Sequence, residues 1–162
     1  MVTNRVLATP AEDAFCSIER TLGIVGERWT FLILREALTN GATRFADFVD
    51  VLGIAPNILT ARLNTLVESG VMEKQEYREN GSRARQSYHP TEAGKQLLVV
   101  LGALGQWGDD YIPPKCGVTQ SRETTDGHQP LRVGFVENPK DLVDVEDVTF
   151  VRLPSHPKYN AA

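Results

Sequence analysis

Residues 56–94, PNILTARLNTLVESGVMEKQEYRENGSRARQSYHPTEAG, carry the pattern that decides the fold. Leu59, Leu63, Leu66 and Val67 recur at i, i+4, i+7 and i+8, which predicts a helix from Pro56 to Ser69-Gly70 with one apolar stripe. At about 100° per residue, Asn57, Ala61, Asn64 and Glu68 fall on the opposite side, flanked by Thr60 and Thr65. That side is short and polar, with its single acid at the far end. Residues 71–78 then alternate as a strand, Asn80-Gly81 is a hairpin turn signal, and residues 84–89 supply the returning strand. Arg78, Arg83 and Arg85 gather around the turn. Thr91 has the position of a helix cap, opening a long helix to about Tyr111.

Working upstream, three shorter helices precede this stretch. Thr9-Pro10-Ala11-Glu12 has the form of a capping box with proline at the first helical position. Phe15, Ile18, Leu22 and Val25 follow at helical spacing, which predicts a first helix from that box to near Gly26. A second is expected over residues 28–38, with Trp29, Leu32, Ile33 and Leu34 apolar and Asn40-Gly41 as its stop. A third fits residues 44–51, carrying Phe45, Phe48 and Val49, and Gly53 breaks it. Three helices, a helix with apolar back and polar front, then a two-stranded ribbon is the order of a winged helix-turn-helix, a mainly α (α+β) fold.

The chemistry of that front suits nucleic acid. Small hydrogen-bonding side chains near a helix N-terminus can reach base edges in the major groove, and Asn57, Thr60, Ala61 and Asn64 are placed for it. Arg44, Arg83 and Arg85 are candidates for phosphates or a minor groove. Each feature alone has a plainer reading, as a solvated surface helix and a solubilising hairpin. Their succession is what points to double-stranded DNA.

Composition narrows the remaining classes. The chain has 162 residues, 41% apolar and 23% charged, which suits an ordinary globular protein. Its 17 Lys+Arg against 21 Asp+Glu exclude a uniformly basic nucleic-acid coat. No apolar run reaches the ~18 residues of a membrane span, and residues 1–12 lack the apolar centre of a secretory signal. Two cysteines, Cys16 and Cys116, are too few and too far apart for a disulfide framework or a thiolate zinc site. No catalytic triad, paired-carboxylate or phosphate-loop signature stands out, so neither enzyme activity, metal nor cofactor is expected in this cytoplasmic reading. The texture changes at Pro113-Pro114: residues 113–162 hold six of the nine prolines and short β-rich runs. Residues 1–112 are therefore expected to form the DNA-binding and dimerisation module, and residues 113–162 a C-terminal extension with short strands. The acidic run Asp141, Asp144, Glu146 and Asp147 reads as a solvated face.

Residues 16–111 resemble the HxlR family of bacterial transcriptional regulators, relatives of the MarR group. The resemblance is carried by Cys16-Ser17-Ile18-Glu19-Arg20, by Gly26-Glu27-Arg28-Trp29-Thr30-Phe31-Leu32-Ile33-Leu34-Arg35, and by Arg44-Phe45 and Gly53-Ile54-Ala55. It continues through Leu59-Thr60-Ala61-Arg62-Leu63, Leu66-Val67-Glu68-Ser69-Gly70-Val71, Thr91-Glu92-Ala93-Gly94 and Gln106-Trp107-Gly108. Order and spacing match throughout. The resemblance implies a dimeric winged-helix repressor or activator, with a cysteine at the position of Cys16 that serves some members as a redox or electrophile sensor. Two departures are Ala55, where a capping Ser or Thr would sit, and a pI near 5.4.

The remaining candidates each admit two readings. Cys16 is a sensor thiol or a packing residue, since a start at Thr9 would place it near the second helical turn, where the dipole fades. Cys116 reads as an exposed thiol. Trp29, Trp107 and Tyr111 are interface anchors or the lining of a small-molecule effector pocket. Residues 97–104 contain no charge over eight positions, so the last helix is apolar all round there. Burial against a second copy is expected, with Gly102 and Gly105 allowing close approach and Phe15, Leu22, Leu97, Leu101 and Leu104 at the dimer contact. The extension could instead cover that face within one chain. The expected function is operator binding by a homodimer that acts as a repressor, tuned by a small-molecule effector or by thiol modification. The rival is a winged-helix protein-interaction module that no longer reads DNA.

Overall fold

The helix boundaries follow from residues that cannot continue a helix. In the computed structural model, which describes residues 14–78 and 83–156, α1 spans Ser17–Val25, α2 Arg28–Asn40, α3 Phe45–Leu52 and α4 Pro56–Glu68. Gly41 ends α2 at φ 68° and Gly53 ends α3 at φ 60°, left-handed conformations in which glycine carries no Cβ penalty. Asp47 starts α3 by accepting the Arg44 backbone N–H at 2.9 Å. Pro56 opens α4 at a position where a missing N–H costs nothing. β1 (Met72–Tyr77) and β2 (Arg85–Pro90) pair antiparallel from Met72↔Pro90 to Tyr77↔Arg85. α5 runs Glu92–Tyr111, and β3 (Gln120–Thr124) pairs antiparallel with β4 (Val148–Arg152). The hairpin tip at Asn80-Gly81 lies outside the described residues.

One expectation fails at the start of the chain. The Thr9 capping box lies outside the described residues, but residues 14–16 are not helical and α1 begins only at Ser17. The reason is local. The Arg20 guanidinium turns back and donates to the carbonyls of Ala14 at 2.8 Å and Phe15 at 3.1 Å, and to Ser17 Oγ at 3.1 Å. Those carbonyls are thereby committed to a side chain rather than to a helical ladder. Phe15, expected on a packed face, is fully exposed.

The chain divides into two compact units, Met1–Lys95 and Gln96–Ala162. In the first, Leu59, Leu63 and Leu66 of α4 are fully buried together with Ile33 and Leu34 of α2 and Phe48 of α3. Each such side chain contributes roughly 1.5–3 kcal/mol of burial free energy. The Glu36 carboxylate, also buried, is held by Arg35 and by Asn40 Nδ2 at 2.8 Å. α4 leads straight into the hairpin, and the first turn of α5 closes the unit. Thr91 Oγ1 donates to the Gly70 carbonyl at 2.7 Å and accepts the Gly94 N–H at 3.2 Å.

The division falls inside α5 instead of at Pro113-Pro114, because the body of that helix packs with the extension. Gln106 clamps the backbone of Val133 in both directions at 2.9 Å. Arg122 meets Asp109 at 3.3 Å, and Arg132 meets Asp110 at 2.6 Å. Gly102 and Gly105 do allow a close approach, but what approaches is Val133 and Arg122 of the same chain, not a second copy. β3 also meets residues 129–131 on its other edge, where the Leu131 N–H donates to the Arg122 carbonyl at 2.7 Å. Among the described residues, no helix is long and apolar enough to cross a membrane.

Two glycines of α5 should respond oppositely to alanine. Alanine is about 1 kcal/mol the better helix former, yet a Cβ at Gly94 would sit 2.1 Å from the Val71 carbonyl oxygen. Gly94→Ala is expected to lower the urea midpoint. Gly108 has open space around it, and Gly108→Ala should raise stability by up to about 1 kcal/mol.

Candidate nucleic-acid interface

The exposed side of α4 follows directly from its buried one. With Leu59, Leu63 and Leu66 inward, Asn57, Thr60 and Ala61 are exposed and Asn64 is half-buried. The Thr60 hydroxyl donates to the Pro56 carbonyl at 2.8 Å and the Thr65 hydroxyl to the Ala61 carbonyl at 3.1 Å. Their protons are thus used on the helix, and their oxygens face outward as acceptors. Asn64 Oδ1 accepts from Lys74 Nζ at 3.2 Å, which orients the amide so that its NH2 is the donating end. The α4 N-cap is Ala55, with no side-chain cap. Its first backbone N–H groups therefore have no side-chain acceptor, and helix N-termini of this kind suit phosphate oxygens.

The ribbon holds cations beside this helix. Lys74 and Tyr88 are cross-strand partners, with Lys74 Nζ 5.9 Å from the Tyr88 ring centre. Burial pushes the Tyr88 phenol above its ordinary range, so the ring remains neutral under that ammonium. Arg44 stacks over the Tyr77 ring at 5.0 Å and bridges the backbone of Ser87, while the Tyr88 N–H donates to the Thr43 carbonyl at 2.8 Å. The segment before α3 is thus stitched to the wing. Arg83 and Arg85 are both exposed, Arg83 immediately after the tip and Arg85 opposite Tyr77. Sequence reasoning missed Lys74. The signal that could have found it is the two-residue alternation of β1, which puts Lys74 on one face with Met72 and Glu76.

The other candidates sort less evenly. Cys16 is exposed at the α1 N-cap, one position before the helix and not in its second turn. The backbone N–H groups of Glu19 and Ile18, with a smaller contribution from Arg20, hold its thiol below the ordinary range. Cys116 is exposed as expected. Trp29 is half-buried with the Arg28 guanidinium 4.9 Å over its ring. Trp107 and Tyr111 stack with ring centres 5.4 Å apart and are largely exposed. None of these three aromatics lines the cavity of about 270 Å³ that opens in the second unit among Leu98, Val133, Leu142 and Phe150. Of the residues expected at a dimer contact, Phe15, Leu22 and Leu104 are exposed and Leu97 and Leu101 half-buried. Among the described residues, no group of His, Cys, Asp and Glu could hold a metal ion.

With this geometry in hand, comparison with known proteins is specific. A family model described as HxlR-like helix-turn-helix matches residues 24–116. The HTH-type transcriptional regulator Rv3095 of Mycobacterium tuberculosis, itself uncharacterized, is 44% identical over 97 residues. That match covers 60% of this chain and 60% of the relative, so the chain spans about three-fifths of the relative's length. PA1607, solved as a candidate transcription factor, is similar with a TM-score of 0.68 and 36% identity over 83% of this chain and 92% of that one. PA1374 from Pseudomonas aeruginosa, another candidate transcription factor, gives 0.53 and 37% over 83% and 86%. Both matches cover more of this chain than residues 1–112 contain, so part of the extension is shared with them.

The thiol environment makes a pH prediction. In a Cys116→Ser background, the alkylation rate of Cys16 by iodoacetamide should hold at lower pH than that of glutathione. A lowered pKa keeps the reactive thiolate present until the pH falls through that value. A profile coincident with glutathione would contradict it.

Proposed function

The chain belongs to the HxlR-like helix-turn-helix family, and from that premise we propose that it is a sequence-specific DNA-binding transcriptional regulator that acts as a homodimer. The observation that carries this reading is the outward side of α4. Asn57, Thr60, Ala61 and Asn64 stand over a buried leucine stripe, with Lys74 bonded to Asn64 and exposed arginines on the wing. In the proposed mode α4 enters the major groove, where the Asn64 NH2 donates to base acceptors and the Thr60 oxygen accepts from base donors. Arg44, Lys74, Arg83 and Arg85 hold flanking phosphates or the minor groove. The absent side-chain cap at Ala55, which by itself favours the rival interaction module, here leaves backbone N–H groups for a phosphate. Repression follows if the operator overlaps a promoter.

Dimerisation is supported by α5. Val100, Leu104, Trp107 and Tyr111 are all exposed at i, i+4, i+7 and i+11, which at about 100° per residue confines them to an arc of about 60°. The extension covers the Leu98 and Gly102 side of this helix, and this stripe is what it leaves bare. Such patches favour association, and two reading helices suit two half-sites. Regulation by thiol chemistry is supported by Cys16, whose modification at the N-cap would change the start of α1.

Footprinting on DNA flanking the gene tests the reading. Asn64→Ala should relax preference at one base pair by ~1–3 kcal/mol. Lys74→Ala should weaken specific and random sequence alike and flatten the dependence of affinity on salt. Identical base preferences in parent and Asn64→Ala would sink the α4 assignment. For assembly, light scattering should give a dimer and Leu104→Glu a monomer of unchanged helix content. A parent of 17.9 kDa in solution would reject the dimer.

A further inference from the structure

The cavity of the second unit, about 270 Å³, is walled by α5, β3, β4 and residues 131–145. A cavity of about half that volume accepts benzene in an engineered protein interior, so this one has room for about ten non-hydrogen atoms. Leu98, Val133 and Phe150 are among its walls. Val99, Val136, Leu142 and Val143 both line it and face solvent, and so form its mouth. Four aliphatic side chains around one opening are surface that a bound apolar molecule would withdraw from water.

What such a molecule can be is decided by the polar groups of the walls, which are already engaged. Three charged residues line the cavity, Arg122, Arg132 and Asp141. Arg122 runs along α5 with its Cδ against Gly102 and its Nη1 against Gly105, and Nη2 meets Asp109 at 3.3 Å. Gly102 lines the cavity and Gly105 does not, so this side chain lends its stem to the wall and carries its charge away. Arg132 is held by Asp110 at 2.6 Å. Asp141 is exposed at the rim, where water screens it. The backbone is engaged as well. The Val133 N–H and carbonyl both go to Gln106, the Leu131 N–H to the Arg122 carbonyl, and the Leu142 N–H to the Pro139 carbonyl. Val148 and Phe150 belong to the ladder of β4 with β3. A charged guest would give up its hydration with neither arginine free to replace it. A second copy laid over the mouth would close it and leave the interior empty, without the dispersion contacts that a guest of matching volume supplies.

We infer that this cavity binds a neutral, compact hydrocarbon of about ten carbons, such as an alkylbenzene, held by apolar burial alone. The inference goes beyond the DNA reading and does not rest on it, since every wall belongs to the second unit.

The test is an NMR titration of the nitrogen-labelled full chain, free of DNA, with p-cymene and with two charged molecules of the same skeleton, cuminate and cuminylammonium. p-Cymene should saturate, shift the amides of Leu98, Gly102, Val133 and Phe150, and bind more than about tenfold tighter than either ion. Val99→Glu and Leu142→Glu place a charge at the mouth from two different walls, at sites 50% and 63% exposed and so outside the packed interior. Each should weaken p-cymene roughly tenfold with helix content unchanged. Overturning results are no saturable binding, an ion that binds as well as p-cymene, shifts centred on Leu104 and Trp107 instead, or indifference to either mouth variant. A p-cymene affinity that falls as protein concentration rises would also overturn it, making the mouth a contact between copies.

Discussion

Burial of Leu59, Leu63 and Leu66 is the constraint on which the rest depends. Three residues at helical spacing occupy one side of α4, so fixing them against α2 and α3 fixes what the other side shows to solvent. Asn57, Thr60 and Ala61 are outward for that reason, and need no interaction of their own to hold them there. The same packing sets where the chain leaves α4, hence where β1 starts and where Lys74 comes to lie beside Asn64. A polar outward face is thus obtained from hydrophobic free energy, with the Thr60 oxygen and the Asn64 NH2 left for a partner.

An acidic chain that binds DNA must concentrate its cations. With a formal charge of -4, attraction at long range is weak, and local placement has to supply the phosphate contacts. Tyr77 under Arg44 and Tyr88 under Lys74 do this. Each ring supports a charge on one side, limits its rotamers, and leaves its outer surface to solvent. In the proposed mode, affinity then owes more to where a few charges sit than to how many there are.

Legibility in the sequence tracked the range of the interactions involved. Gly41, Gly53, Pro56 and Thr91 mark element ends by their own backbone chemistry, so the ends of α2 and α3 and the starts of α4 and α5 were readable within a residue or two. The two strands of the hairpin were readable from alternation, whereas their register was not. The start of α1 was misplaced because its decisive contact, Arg20 to the Ala14 and Phe15 carbonyls, competes with a capping box that looks equally good in one dimension. Gly102 and Gly105 were correctly seen as permitting close approach, but no local pattern says that Arg122 and Val133, about twenty to thirty residues on, are what approaches. The cavity was invisible for the same cause. Its walls come from five separate stretches of chain, none unusual alone. Of the interface residues, those on α4 were legible from periodicity, whereas alternation in β1 gives the face of Lys74 but not its bond to Asn64 ten residues back.

The clamp formed by Thr91 on the Gly70 carbonyl, with Gly94 pressed against Val71, also bears on how the protein is made. Everything from α1 to the end of the wing can be synthesised before the residues that latch it have been translated. The latch arrives with the first turn of a helix whose remaining turns pack with the other unit. On the ribosome, the reading module therefore reaches its closed form only as the next unit begins to emerge. A chain interrupted at the end of β2 would carry the whole reading surface and yet lack the means to hold it shut.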